Sequence, residues 1–235
     1  MTVNYGASIV TNGLTMMLDA ANPLSYPGSG TVFSDLSGNG NTGTLTNSPT
    51  YSANNNGYFT FNGSSQYVNI GSSTSLGSLT TALTISSWIT ISSFPSAGGL
   101  STIYDTGQSG SSKEQTFFRL DQSIASVAVG TYDGSTNFQT SYAYSNLSLN
   151  TWYNLVAGYT GTAWVLYVNG ALVSSTTTTG PVSAGSVITV GVANNSGTLQ
   201  RYWKGNISSV SVYSRSLSAA EIVQNFNAYR GRYGI

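Results

Sequence analysis

The sequence predicts an all-β protein that ends in one short α-helix. Three observations indicate this class. Apolar side chains alternate along residues 152–173 in the pattern of adjacent β-strands. Asn-Gly and Asp-Gly pairs, which favour tight turns, interrupt several other alternating stretches. Apolar residues at helical spacing follow a capping motif near the C-terminus.

The segment 152–173 contains the clearest strands. Thr160-Gly161 separates two stretches, and Asn169-Gly170 then predicts a type I′ turn, because both central residues of that turn need a positive φ. The second stretch has apolar groups on both faces, which is typical of a central strand buried on two sides. The side chains expected on shared faces are Leu155, Ala157 and Tyr159; Trp164, Leu166 and Val168; and Val165 and Tyr167.

Period-two alternation predicts further strands along the chain. In the stretch 83–91 the side chains of Leu83, Ile85 and Ile89 share one face, and Trp88 lies on the other. The remaining predicted elements are a strand at 14–20, a hairpin at 58–70 about Asn62-Gly63, a hairpin at 124–141 about Asp133-Gly134, and strands at 187–192 and 207–215.

The C-terminal region predicts the helix. Ser218 and Glu221 have the spacing of a capping box, in which each side chain accepts a hydrogen bond from the backbone N–H of the other residue. Apolar residues then recur at helical spacing, so we expect a helix over 218–229. Because no linker divides the chain, we predict an N-terminal arm at 1–13 and one domain at 14–235.

The composition excludes several classes of site. The 235 residues include no cysteine and no histidine, which removes disulfides, histidine-dependent nucleophiles and the usual zinc sites. Seven cations and seven anions give a net charge of zero, so we expect no nucleic-acid binding. The first residues lack the pattern of a signal peptide, and no apolar window is long enough for a membrane span.

Four stretches resemble laminin G-like domains, which are concanavalin A-like jelly rolls. They are residues 16–51, with the loop Asp-Leu-Ser-Gly-Asn-Gly, 61–70, 152–173 and 188–227. The resemblance implies an all-β, two-sheet antiparallel jelly-roll sandwich. The entry stretch and the tail at 225–235 most resemble versions in virion proteins of tailed phages, many from marine and cyanobacterial hosts.

The resemblance and the composition together favour a non-enzymatic virion structural protein of a tailed phage. We expect display on the capsid or tail, as a decoration or fibre-type protein, with other virion proteins and surface glycans as partners. The low charge leaves little repulsion between copies, so a homo-oligomer is also expected. The alternatives are a free carbohydrate-binding or adhesion module and a glycan-cleaving enzyme.

An enzyme of the last kind needs two carboxylates roughly 5–10 Å apart. No two of the seven acidic residues lie within six positions of each other. The spacing therefore gives no sign of a carboxylate pair on one strand, although acidic residues distant in sequence could still meet. We expect a protein without enzymatic activity.

The loop 35–41 is a candidate calcium site. Asp35, Ser37, Asn39 and Asn41 offer hard oxygen ligands in a glycine-rich loop, as calcium prefers. Related domains that hold calcium here often have an acidic residue early in the closing strand, where this chain has Ser208 and Ser209. The alternative is a turn stabilised by the side chains of Asp35 and Asn39.

Two groups of side chains are candidates for contacts with other molecules. Tyr132, Tyr142 and Tyr144 lie near a polar hairpin, and exposed tyrosines make adaptable binding surfaces for glycans. The alternative is a hydrated loop without a partner. At the C-terminus, Arg230, Arg232 and Tyr233 predict a docking tail for assembly, and the alternative is a pair of cations at the negative end of the helix dipole.

Overall fold

The computed structural model describes residues 8–107, 116–132, 136–178, 187–195 and 197–235. Within these ranges, two eight-stranded antiparallel sheets face each other across one core, and a single longer helix lies near the C-terminus. The predicted fold class, an all-β antiparallel sandwich with a C-terminal helix, is confirmed. No helix in the described ranges is long and apolar enough to cross a membrane.

The strands follow one another in chain order. They are β1 (Leu14–Asp19), β2 (Val32–Phe33), β3 (Gly43–Thr46), β4 (Thr50–Ser52), β5 (Tyr58–Asn62), β6 (Tyr67–Gly71), β7 (Leu83–Ile91), β8 (Leu100–Asp105), β9 (Phe117–Asp121), β10 (Ser126–Tyr132), β11 (Asn137–Ala143), β12 (Trp152–Tyr159), β13 (Ala163–Val168), β14 (Ala171–Thr177), β15 (Ile188–Val190), β16 (Ala193–Asn195), β17 (Thr198–Gln200) and β18 (Lys204–Tyr213). The α-helices are α1 (Thr74–Gly77) and α2 (Ala219–Tyr229), and single 3₁₀ turns span Asn54–Asn56, Tyr144–Asn146 and Arg230–Arg232.

The two sheets are named here by their strands. Sheet I has the order β14-β13-β12-β7-β18-β5-β4, with β1 also paired to β18. Sheet II has the order β11-β10-β9-β8-β15-β6-β3-β2. Strand β18 pairs with β7 along one side, and its other side is shared between β5 and β1. The short hairpin β16–β17 stands apart from both sheets.

Of two hairpins that the sequence predicts at Asn-Gly pairs, the structure confirms one and contradicts the other. Asn169 and Gly170 have φ values of 50° and 80°, so the turn between β13 and β14 has the positive φ angles of type I′. The predicted hairpin at 58–70 is wrong, because β5 belongs to sheet I and β6 to sheet II. The Asn62 side chain accepts hydrogen bonds from the Ser64 and Ser65 amides, and this turn takes the chain across the sandwich.

The core fills the space between the sheets. The side chains predicted on one face of 83–91, of 152–159 and of 163–168 all lie in it, as the alternation required. Trp164 and Trp203 are fully buried there. The indole of Trp88 lies on the opposite face of β7, as predicted, where it stacks on the ring of Phe226 with the centroids 5.7 Å apart.

Helix α2 covers the outer face of sheet I. Ser218 and Glu221 form the predicted capping box, and the helix bounds agree with the predicted 218–229. Val10 packs under the helix, where its amide donates to Asn225 Oδ1 at 2.8 Å. The described part of the predicted arm, residues 8–13, therefore packs on the domain rather than extending from it, and residues 1–7 lie outside the described residues.

Candidate functional site

A cleft of about 240 Å³ opens where the connection from β7 to β8 faces the residues just before β18. Its wall combines hydroxyl groups, aromatic rings and one ammonium group. The residues that line it include Ser93, Phe94, Ser96, Ser101, Tyr202 and Lys204. A small number of polar groups around an apolar surface is the usual composition of a site for a small ligand.

One buried side chain sets the direction of its neighbours at this cleft. The indole of Trp203 is fully buried in the core, and its backbone N–H donates to the Gly191 carbonyl at 2.8 Å. In extended backbone, residues on either side of an inward side chain point outward. Tyr202 and Lys204 therefore both line the cleft.

Hydrogen bonds to two strands fix this part of the backbone. The Thr102 amide donates to the Arg201 carbonyl at 2.9 Å, and Ser101 Oγ donates to the Tyr202 carbonyl at 3.0 Å. The Ser92 amide donates to the Lys204 carbonyl at 3.1 Å. The cleft wall is thus attached to β8 and to the end of β7, so its side chains are held before any ligand arrives.

Arg201 adopts an uncommon backbone conformation. Its φ is 63°, in the left-handed region that costs a residue with a Cβ about 1 kcal/mol or more. Such strain persists where the surroundings determine the conformation. Here burial lowers the pKa of the Arg201 guanidinium, and the nearby Asp105 carboxylate opposes this change only in part.

Asp105 is a buried carboxylate at the end of β8. Its Oδ1 accepts hydrogen bonds from the Gly107 amide at 2.7 Å and the Asn194 amide at 3.4 Å, whereas no described residue donates to Oδ2. Burial raises the pKa of this carboxyl from 3.8 to about 6, although the two amides and the Arg201 and Arg119 cations oppose the change. Asp105 therefore joins β8, the β16–β17 hairpin and Arg201.

A second charged group lies on the outer face of sheet II. The Arg119 guanidinium packs 3.8 Å from the centroid of the Phe117 ring and contacts Asp121 Oδ2 at 3.2 Å. Both charged side chains are buried. Asp121 also accepts from the Ser123 amide, so its carboxylate serves the turn after β9.

Aromatic rings form the apolar part of the cleft. The Tyr202 ring makes an edge contact with Tyr67, with the centroids 6.4 Å apart. The Phe94 ring stacks on Tyr144 at 4.2 Å with an angle of 15° between the planes. Tyr144 is buried, and burial raises the pKa of its hydroxyl. The Phe94 ring is therefore supported by Tyr144, and Phe94 and Tyr202 are both partly exposed aromatic rings of the cleft.

The three tyrosines predicted to bind glycans do not form one surface. Tyr144 is only 7% exposed and supports Phe94. Tyr142 pairs with Val127 and packs on the core, whereas Tyr132 pairs with Asn137 on the opposite face of sheet II. Alternation along paired strands separates Tyr132, Tyr142 and Tyr144, so glycan binding by any one of them stays a prediction for that residue alone.

The hydrogen bonds of the 35–41 loop are those of the turn alternative. Asp35 Oδ1 accepts from the Met17 and Ser37 amides at 2.8 and 2.9 Å, and Oδ2 accepts from the Asn41 amide at 2.9 Å. Asn39 Nδ2 donates to a carbonyl, and the Asn41 Oδ1 accepts from a serine hydroxyl.

The carboxylate oxygens of Asp35 and the Oδ1 of Asn41 thus accept hydrogen bonds within the chain, and calcium binding by Asp35, Asn39 and Asn41 stays a prediction. Ser208 stands where related calcium-binding domains often have an acidic residue, and its Oγ hydroxyl donates to the Gly57 carbonyl. Nowhere in the described ranges do three or more Asp or Glu side chains converge.

Two of the three residues predicted for assembly are used within the chain. Arg232 binds both carboxylate oxygens of Asp19, at 2.8 and 3.0 Å. The Tyr233 ring stacks on Trp88 at 4.1 Å, and its hydroxyl donates to Ser208 Oγ at 2.8 Å. These contacts attach the tail to its own domain. Arg230 is exposed, and its docking role stays a prediction.

Sequence reasoning did not identify Tyr202 and Lys204. The available signal is the run 202–204, in which a tryptophan stands between a tyrosine and a lysine. Alternation would place the two outer side chains on one face if the tryptophan were known to be buried. The chain has only one other lysine, Lys113, which lies outside the described residues.

Comparison with known proteins identifies the family. The profile described as "Laminin_G_3: Concanavalin A-like lectin/glucanases superfamily" matches residues 62–223. No curated protein sequence matches significantly.

Solved structures share the fold at low sequence identity. A Trypanosoma rangeli sialidase in complex with sialic acid has a TM-score of 0.70 at 18% identity. The match covers 97% of this chain and 35% of the sialidase chain. The binding domain of Paraclostridial Mosquitocidal Protein 1 has a TM-score of 0.69 at 17% identity. This match covers 93% of this chain and 53% of the other chain.

A third structure is covered over nearly its whole length. It is domain 4 of AbnA, an extracellular arabinanase from Geobacillus stearothermophilus, in complex with arabinotriose. Its TM-score is 0.62 at 16% identity, and the match covers 90% of this chain and 97% of that domain. This chain spans about a third of the sialidase chain and half of the mosquitocidal binding domain. At these identities the similarities establish the fold alone.

Asp35→Ala tests the turn. We expect the variant to lose about 2 kcal/mol of stability, because buried amides lose their acceptor. Thermal unfolding of the wild type should give the same Tm with chelator and with added calcium, since a ligand stabilises only a fold that binds it. A rise in Tm with calcium that Asp35→Ala abolishes would contradict the turn and support the cation.

Asp105→Asn tests the buried carboxyl. Because the folded-state pKa is raised, the protonated form stabilises the fold at low pH, and this stability is lost as the pH rises from 3.8 through about 6. The loss should amount to about 3 kcal/mol in the wild type and be absent from Asp105→Asn. Urea unfolding across this range measures it, and identical pH profiles for both proteins would overturn the assignment.

Proposed function

Because the chain belongs to the concanavalin A-like lectin/glucanases superfamily, we propose that it is a carbohydrate-binding module that holds a sugar in the cleft at Tyr202. One observation carries the proposal. Tyr202 is a partly exposed aromatic ring in a cleft that also presents serine hydroxyls and an ammonium group. An aromatic face with polar groups at its rim is complementary to a sugar ring, which has apolar C–H faces and polar edges.

The size of the cleft supports a short saccharide. Sites for drug-sized molecules measure roughly 300–1,000 Å³, and this cleft measures about 240 Å³. One sugar ring would stack on Tyr202, and its hydroxyls would exchange hydrogen bonds with Ser93, Ser96 and Ser101. The backbone contacts of 201–204 reduce the ordering that binding requires.

The ligands of similar structures are consistent with a sugar. The matched arabinanase domain was solved with arabinotriose, and one matched sialidase structure with sialic acid. The binding domain of botulinum neurotoxin DC was solved with SialylT, at a TM-score of 0.69 and 15% identity. These are ligands of those proteins, and they suggest the ligand class to test with this one.

The proposed role is binding without hydrolysis. Asp19, Asp121 and Glu221 are each paired with an arginine, while Asp35 accepts backbone amides and Asp105 is buried. Among the described residues, no acidic side chain lines the cleft. Hydrolysis of a glycosidic bond requires two carboxylates on either side of that bond, so this arrangement supports a binding module.

Tyr202→Ala tests the sugar site. An array of plant, bacterial and animal glycans first identifies a ligand for the wild type, and calorimetry then measures its Kd. The variant should bind at least about tenfold more weakly, as aromatic anchors at binding sites do. Tyr132→Ala, a tyrosine on sheet II outside the cleft, is the matched control. Unchanged affinity in Tyr202→Ala, or a loss confined to Tyr132→Ala, would contradict the cleft assignment.

We further propose that this module is displayed on the particle of a tailed phage. The support is the resemblance of residues 16–51 and 225–235 to such virion proteins, together with a charged content of 6%. Peptides of the chain should be found in gradient-purified particles by mass spectrometry. Their recovery only from the particle-free fraction would contradict virion display and leave a free adhesion module.

A further inference from the structure

Lys204 is unusual among the charged groups of this chain. Three arginines form ion pairs with acidic side chains, and Arg201 lies near Asp105. Arg230 is exposed over the Phe226 ring. In the described part of the chain, the ammonium of Lys204 forms no ion pair. The protein has only seven cationic side chains, and Lys204, which lines the cleft, is one of them.

The surroundings of the cleft do not neutralise this charge. The part of the chain that the structure describes places no acidic side chain in its lining. Asp121 is the strand partner of the cleft residue Leu100, and its carboxylate already contacts Arg119. A positive potential therefore persists at the cleft mouth, where solvent screening is incomplete within about 8–10 Å.

The stem of Lys204 is held against a tight turn. Gly63 has a φ of 77°, and a Cβ placed on it would approach the Lys204 Cβ to 2.8 Å. The absence of a side chain at Gly63 lets the turn pack directly on the lysine. On the other side the Lys204 carbonyl accepts from the Ser92 amide. The backbone of Lys204 and its methylenes as far as Cδ are thus positioned beside Gly63, and the residue lines the cleft.

We propose that Lys204 makes the cleft selective for sugars that carry a carboxylate or a sulfate ester. This inference rests on the proposed carbohydrate-binding function. The ring of the sugar stacks on Tyr202, and its anionic group accepts a charge-assisted hydrogen bond from the Lys204 ammonium. A lysine suits either anion, because its ammonium is a compact charge with three donors and no fixed planar geometry.

Matched pairs of oligosaccharides test the selectivity. Trigalacturonic acid is compared with its methyl ester, and a sulfated carrageenan tetrasaccharide with its desulfated form, so each pair differs only in charge. Calorimetry should show about tenfold tighter binding of the charged member of at least one pair. The pair that shows it identifies the anion, and raising the salt concentration should weaken only the charged member.

Variants separate the charge from the fold. Lys204→Gln should bring the affinity ratio of charged to neutral sugar to about one. Arg230→Gln removes an exposed cation outside the cleft and should keep the wild-type ratio. Circular dichroism and the Tm establish that both variants are folded. If Lys204→Gln weakens both members of a pair equally, the lysine only supports the cleft and the inference is wrong.

Two other results are distinguishable. Equal binding of charged and neutral sugars by the wild type, lost in Tyr202→Ala, would overturn the selectivity and leave the binding function standing. Absence of binding to all four sugars, when the array also identifies no glycan, would overturn both.

Discussion

The burial of the Trp203 indole is the constraint on which the candidate site depends. Its ring lies in the core between the sheets, and its backbone N–H is bound to Gly191. With that ring inside, Tyr202 and Lys204 must point out of the fold. Arg201, two residues before Trp203, has a left-handed conformation, and its guanidinium lies near Asp105 on one side of the cleft wall. A core packing interaction therefore determines which groups the surface presents.

The rest of the sandwich leaves sheet I little room for a ligand. Helix α2 and the tail cover its outer face, where Tyr233 and Phe226 stack on Trp88. Arg232 closes this arrangement through the buried Asp19. Truncating one partner of such a buried pair would leave a charge without compensation. The C-terminal segment is thus part of the stability of the domain, and the cleft lies away from it, at the connection between β7 and β8.

The strands were largely predictable because their signal is local. In 152–173 and 83–91, alternation alone gives the faces that the structure shows, and Ser218 and Glu221 are near enough in sequence to reveal the helix cap. The prediction of a hairpin at 58–70 was wrong because an Asn-Gly pair indicates a turn but carries no information about which sheet the next strand joins. The cleft was not predictable, since it joins the region near 93–101 to 202–204, about a hundred positions away. Likewise, Asp35 offers the same oxygens to a cation and to backbone amides, and only the three-dimensional arrangement distinguishes them.

The central claim is that a core tryptophan presents Tyr202 and Lys204 as a sugar site. A crystal structure of the protein soaked with a bound oligosaccharide from the array tests it most directly. The account predicts a sugar ring stacked on Tyr202, with ring atoms about 4 Å from the aromatic plane, and Trp203 still buried beneath. A sugar ordered elsewhere, such as in the polar cleft beside Asn41 and Ser75, with no density over Tyr202, would contradict it.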